Sequence, residues 1–165
     1  MTYNPETFIL SDLLADLTFV RKMAENKGVT FSAQIPDNET VVGDSNMLAI
    51  VVRNLLINAV KFTPAGGQVM FEVLQGCSGA AQGYTIAVSD TGIGMTKEQT
   101  GKLFRLDSAR SRKGTAGEQG SGLGLIVCRE LLEKHGSELH VESEEGKGSR
   151  FWFELKSKDM LTECH

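Results

Sequence analysis

The chain has 165 residues, 41% hydrophobic and 23% charged, with a net charge of −4, which suits one well-formed core, excludes a disordered chain and reads as a single domain over 1–165. The acidic balance gives no electrostatic reason to expect nucleic acid, and Cys77, Cys128 and Cys164 make no CxxC spacing for zinc or a redox pair. No apolar run of about 18 residues and no signal-like N-terminus predicts membrane insertion by this segment, so a reducing, cytoplasmic setting is expected, although a parent protein could be membrane-anchored.

Phe8, Ile9, Leu13, Leu14, Leu17 and Val20 recur at helical spacing and predict an amphipathic helix over 8–26, stopped by Gly28. Val29, Phe31, Ala33 and Ile35 alternate with polar neighbours, which predicts a half-buried strand over 29–35 ended by Pro36 and Asp37. A second long helix is expected over 45–61, followed by a break at Pro64 and Gly66-Gly67. Strands over 68–74 and 84–90 come next, joined by a Gly/Ser/Ala-rich hairpin loop at 76–83. Residues 91–121 are rich in Gly, Ser, Lys and Arg, and most of this stretch reads as a mobile loop. Helical spacing returns over 123–135 with Gly136 as its cap, and strands over 138–143 and 150–155 flank the turn Glu145-Gly146-Lys147-Gly148. This order predicts a mixed sheet covered on one face by helices, an α/β two-layer sandwich.

The second helix turns Leu48, Val52, Leu55, Leu56 and Ala59 toward a core. Asn54, Asn58 and Lys61 fall within about 60° of one another, away from that face. An amide oxygen suits magnesium and a lysine supplies a point charge for phosphate; standing alone, the trio is better read as a solvated helix face. In the strand over 84–90, alternation puts Asp90 on the side of Tyr84, Ile86 and Val88. A carboxylate sent to a buried face needs a partner. It can accept from an exocyclic amine of adenine, with Ile93 over the ring and Gly92 and Gly94 letting the backbone approach; as a lone clue, it is equally well a turn aspartate. Gly120-Ser121-Gly122-Leu123-Gly124-Leu125 opens a helix, where backbone N–H groups form an anion site. It matches neither a P-loop nor a dinucleotide fingerprint. Gly146-Lys147-Gly148-Ser149 is adequately explained as a hairpin turn.

In order along the chain, Asn54-Leu55-Leu56-Ile57-Asn58-Ala59-Val60-Lys61-Phe62-Thr63-Pro64, Asp90-Thr91-Gly92-Ile93-Gly94-Met95, Phe104, Gly120 through Leu125, and Gly146 through Ser149 resemble the N, G1, F, G2 and G3 boxes of the histidine-kinase branch of the GHKL ATPase superfamily. The resemblance covers nearly the whole chain, and Gly43-Asp44 resembles the start of the N-box region. It implies the Bergerat fold, with a mainly antiparallel mixed sheet, helices on one face and a flexible ATP lid over about 96–120. It further implies that Asn58 ligates magnesium, Asn54 supports the phosphate side, Lys61 contacts phosphate, and Phe62 borders the nucleotide. By the same resemblance Asp90 reads adenine beside Gly92, Ile93 and Gly94, while Gly120, Ser121, Gly122, Leu123, Gly124 and Leu125 wrap the phosphates. Ser149 stands where the family often has threonine near adenine, and Arg105 is the lid arginine favoured for the transferred phosphate, with Arg110 and Arg112 as alternatives. The lid segment 102–107 is shorter and less aromatic than the common pattern.

Family members that hydrolyse ATP typically carry a glutamate one helical turn before the magnesium asparagine. Here that position is Asn54, and an amide cannot accept a proton at neutral pH. The resemblance therefore implies a catalytic domain that holds Mg-ATP for an outside nucleophile. That nucleophile is a histidine on the dimerisation hairpin of a sensor kinase, which in turn serves a response-regulator receiver domain. His135, His140 and His165 do not lie in such a helix, so the phosphoacceptor hairpin is absent and the isolated domain is expected to be a monomer. A GHKL ATPase using another base, for which Glu118 is the candidate, and a nucleotide-binding module without phosphotransfer are the alternatives.

Overall fold

The computed structural model describes residues 2–14, 17–77, 80–103 and 124–156. The first apolar run does not make one helix. Phe8 is buried on strand β1 (Glu6–Ile9), a single 3-10 turn spans Leu10–Leu14, and helix α1 runs only over Thr18–Lys27. Leu10 N–H donates to Glu39 O at 2.9 Å, a bond that diverts the chain. Burial of Phe8, Leu10, Leu13 and Leu17 is thus met by a strand and a tight turn where the spacing predicts helix. Gly28 ends α1 as expected, and strand β2 (Thr30–Gln34) follows the predicted alternation.

Strand β3 (Thr40–Gly43), too short for the pattern to reveal, pairs antiparallel with β1 in a small separate sheet. It leads into helix α2 (Ser45–Lys61), whose bounds match expectation. Strands β4 (Gln68–Cys77) and β5 (Ala80–Asp90) are longer than predicted, because pairing continues into the Gly/Ser/Ala-rich stretch. A short helix α3 (Lys97–Gly101), helix α4 (Gly124–Lys134) and the hairpin of β6 (His140–Glu144) and β7 (Gly148–Leu155) complete the order.

The main sheet runs β2-β4-β5-β7-β6, with β2 and β4 parallel and every other pair antiparallel. Its inner face contributes Val69, Phe71, Val73, Ile86, Val88, Phe151, Phe153 and Leu155, all buried. Against it α2 sets Met47, Leu48, Val51, Val52, Leu55, Leu56, Ala59 and Val60. Burying a large aliphatic side chain favours folding by roughly 1.5–3 kcal/mol before chain entropy is subtracted, so α2 is the helix on which the layer depends. The outer sheet face carries half-buried Trp152, with the His140 ring stacked at 5.3 Å and the Arg150 guanidinium 5.0 Å from its centroid. The α/β two-layer sandwich is thus the observed fold.

Helix α2 lies against both α1 and α4. Cys128 of α4 is buried and its thiol donates to Val51 O at 3.7 Å. Burial pushes that thiol up to about 12, which makes it a packing group rather than a nucleophile. The two ends of α2 are tied by charge. Asp44 caps the start, accepting from Met47 N–H at 3.1 Å. At the other end Lys27 Nζ donates to Val60 O at 3.0 Å and Lys61 O at 2.8 Å, placing a cation where the helix dipole is negative. Among the described residues no helix is long and apolar enough to cross a membrane.

Replacing Lys27 by Met removes both bonds and the cation while keeping the stem. Urea unfolding is expected to show a loss of about 1–2 kcal/mol, with Lys27→Arg retaining most of the stability.

Candidate functional site

Strand β5 delivers Asp90 to the end of the buried face, where it pairs with Ser149 of β7 and Val69 of β4. Burial raises its carboxyl to about 6, against the opposing pull of hydrogen bonds from the backbone N–H groups of Gly92 and Ser149. The Gly92 bond to Oδ1 is 2.8 Å long. The chain then turns directly onto the end of α2, where Ile93 N–H donates to Phe62 O at 3.1 Å. A Cβ on Gly92 would sit 2.2 Å from that same carbonyl oxygen and 2.8 Å from Asp90 Oδ1. Only glycine permits this approach.

The β6–β7 turn closes the other side. Gly146 N–H donates to Ile93 O at 2.8 Å, and Gly94 lies against the Glu144 carbonyl. Gly148, with φ 106°, sits so close to β5 that a Cβ would be 2.0 Å from Asp90 O. This turn is therefore more than a strand connection. Ser143 Oγ accepts from Met95 N–H at 2.8 Å, donates to Gly148 O at 3.0 Å and lies 2.8 Å from Ser149 Oγ. With the Ser143 proton on Gly148, Ser149 is the donor of the serine pair, leaving its lone pairs as acceptors. A cleft of about 410 Å³ beside this hairpin is walled by Ser89, Asp90, Ser143, Lys147, Ser149 and Arg150. The α2 amides are not among its walls.

On α2, Asn54 and Asn58 are half-buried. A Cβ on Gly124 would meet Asn54 Oδ1 at 3.4 Å, so α4 begins beside Asn54. Lys61 departs from expectation. The spacing sets it on the polar side, yet it is only 7% exposed. The last turn of α2 is enclosed by Lys27 and the loop after Asp90, and the Lys61 ammonium rests 5.3 Å from the Phe62 ring centroid. Burying the stem while the charge reaches a polar edge is usual for lysine. Phe62 and Ile93 are half-buried, and Leu125 packs on the core. Arg105, Gly120, Ser121, Gly122 and Leu123 lie outside the described residues, as do Phe104, Arg110, Arg112 and Glu118. The expected lid is described only as far as α3, which Thr96 and Gln99 cap reciprocally.

Two contributors escape the sequence reading. Thr63 is fully buried, its hydroxyl donating to Ala59 O at 2.6 Å and finishing the turn that presents Phe62. Ser143 is the other, and its position on an alternating strand carries no signal of the three groups it joins.

Residues 43–159 match the model of the histidine kinase-, DNA gyrase B-, and HSP90-like ATPase family. The chain belongs to this family. Similar members include the adaptive-response sensory kinase SasA of Synechococcus sp. (strain CC9311), 35% identical over 93% of this chain and 39% of that protein. Another is the sensor histidine kinase WalK of Bacillus subtilis (strain 168), 34% identical over 84% of this chain and 22% of its own length. The chain thus spans less than half of these relatives. Among solved structures, the catalytic domain of the histidine kinase ThkA superposes with a TM-score of 0.76 at 22% identity, over 93% of this chain and 98% of that one. Full-length ShkA gives 0.76 at 25% identity, over 95% of this chain and 32% of its own.

In this family member the raised carboxyl of Asp90 works against folding. An unfolded aspartate ionises near 3.9, so between about pH 4 and 6 the folded chain keeps a proton that the unfolded chain has released, and stability falls as pH rises through that window by up to about 3 kcal/mol. Asp90→Asn keeps an acceptor oxygen without the charge. Denaturant unfolding is expected to show this variant more stable than the parent at pH 8, with the difference vanishing below pH 4.

Proposed function

We propose that this chain is the catalytic half of a sensor histidine kinase, binding Mg-ATP and passing the γ-phosphate to a histidine on a separate dimerisation hairpin. The observation that carries the reading is Asn54 beside the start of α4. An amide stands where hydrolysing members of the superfamily place a glutamate, next to backbone N–H groups suited to phosphate. Such a site can hold and orient a phosphoryl donor but offers no carboxylate there to activate water. Phosphoryl transfer then rests on alignment and charge stabilisation.

In this reading Asp90 and Ser149 read adenine through a charged acceptor and a hydroxyl, with Gly92, Ile93 and Gly94 forming the close wall. Phe62 borders the nucleotide, and Asn54, Lys61, Gly124 and Leu125 belong to the phosphate side together with the outlying Gly120, Ser121, Gly122 and Leu123. Arg105 is the lid cation assigned to the transferred phosphate. The ShkA structure was obtained in complex with AMPPNP, an ATP analogue, which supports the same ligand class here.

Among the described residues no three His, Cys, Asp or Glu side chains gather to hold a metal. The amide oxygen of Asn58 is a hard, neutral donor that fits magnesium in the manner usual for nucleotide enzymes, where one protein oxygen would be supplemented by phosphate and water. The metal supplies neutralisation of phosphate charge. The need for ATP and a phosphoacceptor hairpin places the site in the cytoplasm, and a receiver domain is the downstream partner.

Incubated with γ-labelled ATP and magnesium, the chain alone is expected to bind nucleotide and leave the label on it. Adding a purified hairpin bearing the acceptor histidine should move label to the hairpin. Asn58→Ala should lower that transfer at least about 100-fold and flatten the magnesium dependence of binding. Steady release of free phosphate by the parent chain, lost in Asn58→Ala, would instead establish an ATPase.

A further inference from the structure

His135, just beyond the end of α4, joins parts of the chain that are remote in sequence. Its Nε2 accepts from Asp44 N–H at 2.9 Å, and its Nδ1 lies 2.8 Å from Leu131 O. The Tyr3 ring meets it edge-on, with centroids 4.8 Å apart. Asp44 is itself a hub, accepting from Met47 N–H on Oδ1 at 3.1 Å and from Asn4 N–H on Oδ2 at 2.9 Å. A Cβ on Gly43 would fall 2.8 Å from Leu48 Cδ1 and 3.1 Å from the imidazole Cδ2, so Leu48 and the ring together fill the space that a side chain there would take.

A carbonyl on one ring nitrogen and an amide N–H on the other admit a single assignment, with the proton on Nδ1 and Nε2 bare. We propose that His135 is a positioning residue that works as the neutral Nδ1–H tautomer, locking the start of α2 and the N-terminal segment to the end of α4. These two helices carry Asn54 and Asn58 on one side and the Gly124 terminus on the other, so the consequence for nucleotide rests on the proposed function. The lock itself does not.

Protonation would set a second donor against Asp44 N–H. Among the described residues the ring is faced by the Asp44 carboxylate at the start of α2, the Leu131 carbonyl at the end of α4, and Tyr3 of the N-terminal segment. An imidazolium would turn from the Asp44 amide toward its carboxylate and compete there with Asn4 N–H. Charging this ring thus exchanges one set of bonds for another and loosens the N-terminal segment.

The test is made by NMR on the isotope-labelled chain without nucleotide. Long-range ¹⁵N–¹H correlation at pH 8 should show the Nδ1–H tautomer for His135, and finding Nε2–H would overturn the proposal. Protection of the Asp44 amide against hydrogen exchange, corrected for intrinsic rates, should fall about tenfold or more between pH 8 and pH 5.5. His135→Gln retains an acceptor near the Nε2 position and does not titrate, so its protection should stay level across that range. His135→Leu should lack the protection at both pH values. Equal behaviour of the Gln and Leu variants, or unchanged protection in the parent, would overturn the lock. Asp90 titrates in the same range, which is why the readout sits at Asp44. ATP affinity, measured separately at pH 8, should be within about threefold of the parent for Gln and about tenfold weaker for Leu. Intact protection changes with no ATP binding would sink the nucleotide reading and leave the lock standing.

Discussion

The hydrogen bond from Ile93 N–H to Phe62 O is where the two layers of this protein meet at the site. It ties the loop leaving β5 to the last carbonyls of α2, and it exists only because Gly92 has no side chain to strike the same oxygen. The residues around Asp90 are placed relative to that bond. Asp90 is fixed one residue before Thr91, the β6–β7 turn leans on the outer edge of the same loop, and Ser149 reaches Asp90 by strand pairing. Lys27 serves the same junction from below by holding the Val60 and Lys61 carbonyls.

The site has two halves with different physical character. Around Asp90 the backbone is knitted by short contacts between four segments, and a carboxylate is retained there although burial opposes its charge. That opposition fits the recognition role proposed for Asp90 better than a role in stability. The α2 and α4 half depends instead on helix packing, with Cys128 against Val51 and Gly124 beside Asn54.

Much of this was legible in the residues. The period of Leu48, Val52, Leu55, Leu56 and Ala59 located α2 to the residue, since a long amphipathic segment between Asp44 and Pro64 has little alternative. The alternation through Ile86 and Val88 set Asp90 on the inner face. Other parts were hidden for identifiable reasons. Phe8 and Leu10 carry the same apolar signal in a strand and turn as in a helix, and the deciding bond, from Leu10 to Glu39, is non-local. Strand β3 is four residues long, too few for a period to show. The burial of Lys61 follows from the packing of α1 and the Gly92 loop around it, which no helical wheel of α2 contains. His135 was legible only as a histidine outside the phosphoacceptor pattern, because its partners lie 91 residues away and on its own helix.

Gly148 shows how far this interdependence reaches. Its missing side chain admits the carbonyl of Asp90, while the turn that contains it holds Ile93 through Gly146. A change at any one of these positions displaces backbone in a segment more than fifty residues away in sequence. The glycine-bearing motifs of this domain are therefore a single heritable unit. Grafting one of them onto another scaffold, or exchanging one between relatives, transplants half of a joint, and a chimera keeps its shape only when both surfaces come from the same parent.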